Sequence, residues 1–166
     1  MKKYFIIVLT LILTGCGQIA KETGVSQSSS NDKPSLQATA QALPTPETCM
    51  LWMNGHIRYQ PDGAGDEYRD PQVTYDLGYG DCDDYAMFAS YVLRQHGYET
   101  QVLSVFTATT GHTVCVWKDA AGRYDYISNT GIKKISAASL PDIAADIYSD
   151  WTICLLPETN KTIARH

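Results

Sequence analysis

Nowhere in the sequence do basic residues cluster: 13 lysines and arginines are scattered among 18 acidic residues, for a formal net charge of −5. Nucleic acid is bound by a concentrated positive face, so the charge pattern argues against a nucleic-acid partner. Long apolar runs are also missing. The run Tyr4 to Leu13 is too short to span a membrane as a stable helix. No internal repeat is visible, and histidine occurs only four times, so chemistry that needs an imidazole has few residues to draw on.

What is present begins with a processing signal. Lys2 and Lys3, the apolar run and Leu13-Thr14-Gly15-Cys16 resemble the bacterial lipoprotein signal, whose box ends in the cysteine that is lipidated. The resemblance implies cleavage before Cys16, fatty acylation there and attachment to a membrane of the cell envelope. Gly17 follows in place of an aspartate retention signal, which for a Gram-negative host favours the outer membrane. From Gly17 to about Pro46 the chain is rich in Ser, Gln, Thr and Ala and reads as a flexible tether. One folded domain over 47–157 and a polar tail over 158–166 are expected.

Within that domain, Gly80-Asp81-Cys82-Asp83-Asp84-Tyr85-Ala86 places a thiol at a helix start. Tyr85, Ala86, Ala89, Val92, Leu93 and His96 recur at steps of three and four, and Gly97 is a left-handed stop. Unpaired N–H groups and the helix dipole at that end favour a thiolate, the nucleophilic form of cysteine. Asp81, Asp83 and Asp84 oppose this with negative charge, so a histidine held against the sulfur is required.

Of the four histidines, His166 ends the polar tail, His56 lies beside the Asn54-Gly55 break, and His96 is roughly 20 Å along the same helix from Cys82 at about 1.5 Å per residue. His112 stands at the mouth of a strand and is the candidate base. If Lys118 pairs with Arg123 across the loop between them, His112 faces Asn129, and a one-residue shift leaves Asn129 beside it. Asn129 is thus the expected orienting group. Asp125, roughly 13 Å further along at about 3.3 Å per residue, is the fallback.

Helical spacing begins at Cys49 and runs to Ile57; Asp70-Pro71 opens a short helix ending at Gly78; Ser139 to Tyr148 forms another. Thr100–Phe106, Thr113–Lys118, Tyr124–Ser128 and Trp151–Leu156 alternate as strands, giving helices first and an antiparallel sheet second, an α+β layout. Cys49 starts the folded part and Cys154 nearly ends it, so in an oxidising compartment a disulfide could close the domain; the alternative is that both are small core residues. Cys115, within a strand pattern, is expected in the core.

These residues in this order, with Leu93 and Gly97, Gly111-His112, Gly122 and Asn129, resemble the bacterial transglutaminase-like cysteine proteinase superfamily over about residues 47–156. Trp52, Ile57-Arg58-Tyr59 and Tyr75 to Gly80 resemble its approach to the nucleophile. The resemblance implies a papain-like core with the nucleophile helix packed on an antiparallel sheet, and a Cys82-His112-Asn129 triad in which Asn129 stands where the family usually has aspartate. Some periplasmic members bind calcium through carboxylates around the nucleophile, as Asp81, Asp83 and Asp84 could. Helix capping and dipole effects account for those acids without a metal, and no cofactor is required.

The implied chemistry is acyl transfer on an amide of an envelope protein or peptide. The Cys82 N–H would be one oxyanion donor, and Tyr75 or Tyr79 the other. Water as acceptor makes a peptidase or amidase, an amine makes a cross-linking transglutaminase. A non-catalytic envelope binding module that retains the fold is the competing class.

Overall fold

The structure is a computed structural model describing residues 33–63, 68–129 and 131–166. The segment expected as a lipoprotein signal, with Cys16, and most of the segment expected as a tether lie outside them. Packed chain already begins at Lys33 rather than near Glu47. Helix α1 (Leu36–Gln41) is capped by Ser35, whose Oγ accepts from the Ala38 N–H at 3.1 Å. It buries Leu36 and Ala40, with Leu43 just beyond, against the main core. These few apolar residues among polar ones suffice because they lie on one side.

Helix α2 (Pro46–His56) opens on Thr45, which accepts from Thr48 N–H at 3.2 Å, with proline in the first turn. Strand β1 (Arg58–Tyr59) pairs in parallel with β2 (Tyr79–Gly80) as a small ribbon. Between them, α3 (Pro71–Leu77) starts at Asp70 and stops at Gly78, φ +67°, as its sequence dictates. Helix α4 (Cys82–Arg94) follows the ribbon and buries Tyr85, Phe88, Ala89, Val92 and Leu93. A fully buried side chain of this kind contributes about 1.5–3 kcal/mol. Gly97, at φ +79°, turns the chain into the sheet.

The sheet is antiparallel with six strands in the order β6-β5-β4-β3-β7-β8: β3 (Thr100–Phe106), β4 (Gly111–Lys118), β5 (Tyr124–Ser128), β6 (Gly131–Ala137), β7 (Ile153–Leu156) and β8 (Lys161–Arg165). Strand β8 and the 3₁₀ turn Pro157–Thr159 occupy the segment expected as a polar tail. Helix α5 (Leu140–Ile147) is closed by reciprocal bonds between Ser139 and Asp142. Side chains alternate across the sheet, so Val102, Cys115, Trp117 and Ile127 meet α4, whereas Leu103, Val105, Val114, Val116 and Tyr126 join the core around Ile143 and Ala144 of α5.

That division decides the cysteines. Cys49 lies in the α4 core and Cys154 in the α5 core, on opposite faces of the sheet, and both are free and buried. Of the two alternatives, the structure shows small core residues and no bridge. Burial pushes the Cys49 thiol up to about 12 and those of Cys115 and Cys154 upward as well, leaving all three inert. No helix among the described residues is long and apolar enough to cross a membrane.

The β4–β5 register also departs from expectation. Lys118 pairs with Tyr124 and Trp117 with Asp125, one residue away from the Lys118–Arg123 pairing. The cause is the loop. Asp119 accepts through Oδ1 from Ala121 N–H at 2.8 Å and Arg123 N–H at 2.9 Å, and Gly122 takes φ +75°, which draws Arg123 into the turn.

Candidate active site

Cys82 is the first residue of α4, half-buried, directly after the N-cap Asp81. Around it Asp81, Asp83 and Asp84 are all buried, Asp84 completely. Leaving such carboxylates uncompensated would be strongly destabilising. The compensation comes from a residue that sequence reasoning missed. Arg69, in the segment before α3, forks between Asp62 and Asp84 in two short charged contacts, and its backbone N–H adds a bond of 3.1 Å to Asp84 Oδ1. The Asp62 bond and the Asp84 charge hold the guanidinium firmly protonated. Burial raises the Asp84 pKa while hydrogen bonds from Arg69 and the Asp81 N–H, the latter at 3.2 Å, oppose the rise. A lone arginine between loops left no sequence signal for this role.

The same segment fastens the head of α4 to the sheet. Tyr68 Oη lies 3.1 Å from Ser104 Oγ, which lies 2.8 Å from Thr113 Oγ1, next to His112. Phe106 closes that end. Its ring would lie 2.6 Å from a Cβ at Gly111, so any larger residue before His112 would have to displace that ring. At the far end Ser90 and Arg94 of α4 bond to Thr100, so helix and strand β3 run antiparallel. Cys82 and His112 are thereby carried to the same end of the sheet, Cys82 on the helix packed against one face and His112 on the face of Tyr126, so that any meeting of the two is around that end and not across one face.

His112 is half-buried, and burial lowers its pKa, which keeps the imidazole neutral near pH 7. Its Nε2 lies 2.8 Å from Ser128 Oγ. The expected partner is not the observed one: Asn129 sits at φ +44° in the turn between β5 and β6, its carboxamide oxygen buried without a hydrogen-bond partner. The shifted register explains the difference, because Ser128 shares the sheet face of Tyr126 and His112. Asp125 is displaced too. It stands opposite Trp117, on the face toward α4, and accepts the Ser136 N–H at 2.9 Å.

The remaining candidates are engaged elsewhere. His56 stacks on Trp52 at 4.4 Å, His96 Nε2 meets the Ala40 carbonyl oxygen at 2.9 Å, and His166 lies 5.3 Å from the Trp151 ring. Tyr75 is buried with its hydroxyl on the Pro34 carbonyl and Thr39, so it is no oxyanion donor.

A cleft of about 370 Å³ opens beside the imidazole, lined by His112, Tyr126, Ser128, Lys133, Asp146 and Tyr148. Tyr59, from the β1–β2 ribbon, has its ring centroid 6.3 Å from that of Tyr85, in the first turns of the helix that begins at Cys82. The Asp81, Asp83 and Asp84 carboxylates can each offer an oxygen within 4.8 Å of the others. Asp84 is held by Arg69, but Asp81 Oδ1 is buried with no hydrogen-bond partner.

No curated protein sequence matches the chain closely enough to count as a relative. Among solved structures, calcium-bound LapG from Legionella pneumophila superposes with a TM-score of 0.51 at 15% identity, covering 76% of this chain and 78% of that one. EGTA-treated LapG gives 0.51 at 18% identity, covering 76% of each chain. Both likenesses are of fold. The family model described as the transglutaminase-like superfamily matches residues 32–134, from α1 through most of β6. With the Cys82 helix and the antiparallel sheet already in place, the chain belongs to the transglutaminase-like superfamily.

Proposed function

We propose that the chain is a thiol hydrolase of the transglutaminase-like type, cleaving amide or peptide bonds with Cys82 as nucleophile and His112 as base. The observation that carries this reading is the arrival of a helix-head cysteine and a hydrogen-bonded histidine at one end of the sheet. With Nε2–H donating to Ser128 Oγ, Nδ1 is the nitrogen left to take the thiol proton. The thiolate attacks the carbonyl carbon, the Cys82 N–H receives the developing oxyanion, and the imidazolium returns its proton to the leaving nitrogen. Water then releases the acyl group; an amine in its place would make a cross-link. Ser128 is the orienting group in this reading, with Asn129, next in sequence, the residue to test against it.

Ser128 brings no negative charge to stabilise the imidazolium. That observation favours the second reading, a binding module that retains the fold. For calcium, the support is the unsatisfied Asp81 Oδ1 together with the calcium-bound state of one LapG structure. Asp81 and Asp83 would hold the ion, Asp84 being occupied by Arg69. Bound there, it would neutralise carboxylates beside the thiol. The lipid anchor on Cys16 and an envelope polypeptide as substrate rest on residues 1–16: palmitate should be incorporated by the wild type and not by Cys16→Ser.

The function is tested by incubating envelope proteins with the wild type or Cys82→Ala and sequencing new N-termini by mass spectrometry, with and without a calcium chelator. Termini that need Cys82 support the hydrolase. Identical digests, with the Cys82→Ala protein still retaining envelope partners, support the binding module.

A further inference from the structure

An acyl transfer at Cys82 needs a second donor for the oxyanion beside the Cys82 N–H, since a single N–H leaves much of the developing charge unsatisfied. Tyr75 is buried elsewhere. Tyr79 pairs with Arg58 in the β1–β2 ribbon, and Tyr59 with Gly80. Side chains alternate along a strand, so Tyr79 and Tyr59 project from opposite faces of the ribbon. The Gly80 face is the one pressed on the first turn of α4: a Cβ there would lie 2.5 Å from Asp84 Cβ and Oδ2. Tyr59 shares that face. Its ring centroid is 6.3 Å from that of Tyr85, whose own hydroxyl is held by the Ile57 carbonyl, fixing the ribbon to the helix.

The position of Tyr59 suits a donor. It is 47% exposed, and among the described residues its hydroxyl has no hydrogen-bond partner. Gly80 precedes Cys82 by two residues, so the ribbon leads directly into the helix head, whose first N–H groups have no intrahelical partner. Burial and the charges of Cys82, Asp81 and Asp83 raise the phenol's pKa, which keeps its proton in place.

We propose that the Tyr59 hydroxyl is the second oxyanion donor of this site; the inference rests on the Cys82–His112 reading and adds a catalytic residue to it. The thiolate sulfur bonds to the carbonyl carbon, the π pair moves onto oxygen, and that oxygen accepts from Tyr59 O–H and Cys82 N–H. When the pair returns, the bond to the leaving group breaks. Tyr59 keeps its proton throughout.

The test uses the full chain carrying Cys16→Ser, with Tyr59 or Tyr59→Phe, and two reagents for the Cys82 thiol. p-Nitrophenyl acetate acylates the thiol through an oxyanion, whereas iodoacetamide alkylates it by direct displacement without one. Tyr59→Phe should slow acylation by about 10-fold or more while changing alkylation by less than about twofold. Equal rates in both proteins, or equal slowing with both reagents, overturn the assignment. A Cys82 that reacts with neither reagent while Tyr59 is in place overturns the thiol reading itself. The split between reagents is a readout that lost ring packing cannot mimic.

Discussion

The two ends of α4 are built on opposite rules. At its C-terminal end Val92 and Leu93 are fully buried among apolar neighbours, Ser90 and Arg94 bond to Thr100, and the Arg94 charge meets Glu158 at 2.9 Å in a half-exposed pair. At the N-terminal end two carboxylates, Asp83 and Asp84, are buried in the first turn beside a thiol. A helix stabilised for its own sake would resemble the first end throughout. The second end spends stability on charge placement around one sulfur, which is what the proposed thiol chemistry would call for.

Substitutions at matched positions sharpen this contrast. Arg69→Ala should have the largest effect, about 3–5 kcal/mol in urea unfolding, because it leaves the buried Asp84 charge without its cation. Arg94→Ala, at the other end, should lose about 1 kcal/mol or less. The glycines form the next pair. Gly80→Ala drives a Cβ into the Asp84 carboxylate and should lower stability by about 1–3 kcal/mol while slowing Cys82 modification. Gly97→Ala meets open space but holds φ +79°, so only backbone strain of about 1 kcal/mol is expected, with the thiol unaffected. Ser128→Ala should leave stability nearly unchanged and slow Cys82 alkylation roughly 2- to 10-fold, as the loss of one ordinary hydrogen bond implies. Asn129→Ala should slow it less; the reverse order would return the orienting role to the carboxamide.

The smallest effect is a pH dependence. The folded-state pKa of His112 lies below the ordinary 6.5 because of burial. Below pH 6.5 the unfolded chain therefore binds more protons than the folded one. The stability contributed by the neutral ring is fully present above 6.5 and is lost as pH falls toward the lowered folded value. His112→Gln should flatten that part of the stability profile, measured by urea midpoints between pH 7 and 5.

Local patterns were legible in the sequence and long-range choices were not. Asp70-Pro71 and Gly78 delimit α3, the apolar spacing after Cys82 defines α4, and alternation marks β3, β4, β5 and β7, because each signal is contained in one segment. His112 is singled out in the sequence only by elimination among four histidines. Ser128 was missed because a single residue in the Asp119–Arg123 loop sets the register of everything beyond it. Arg69 and the packing of Leu36, Ala40 and Leu43 depend on partners far away in the chain, which no periodicity reports. Cys49 and Cys154 looked like chain-closing partners, yet the sheet lies between them.

The most direct measurement is the pH profile of iodoacetamide alkylation at Cys82 in a Cys16→Ser chain, which is selective because Cys49, Cys115 and Cys154 are fully buried. With His112 in place the rate should already reach its plateau well below the ordinary thiol pKa of about 8.5, and His112→Ala should move the midpoint up toward that value. Superimposable profiles, both titrating near 8.5, would contradict a working pair of sulfur and imidazole.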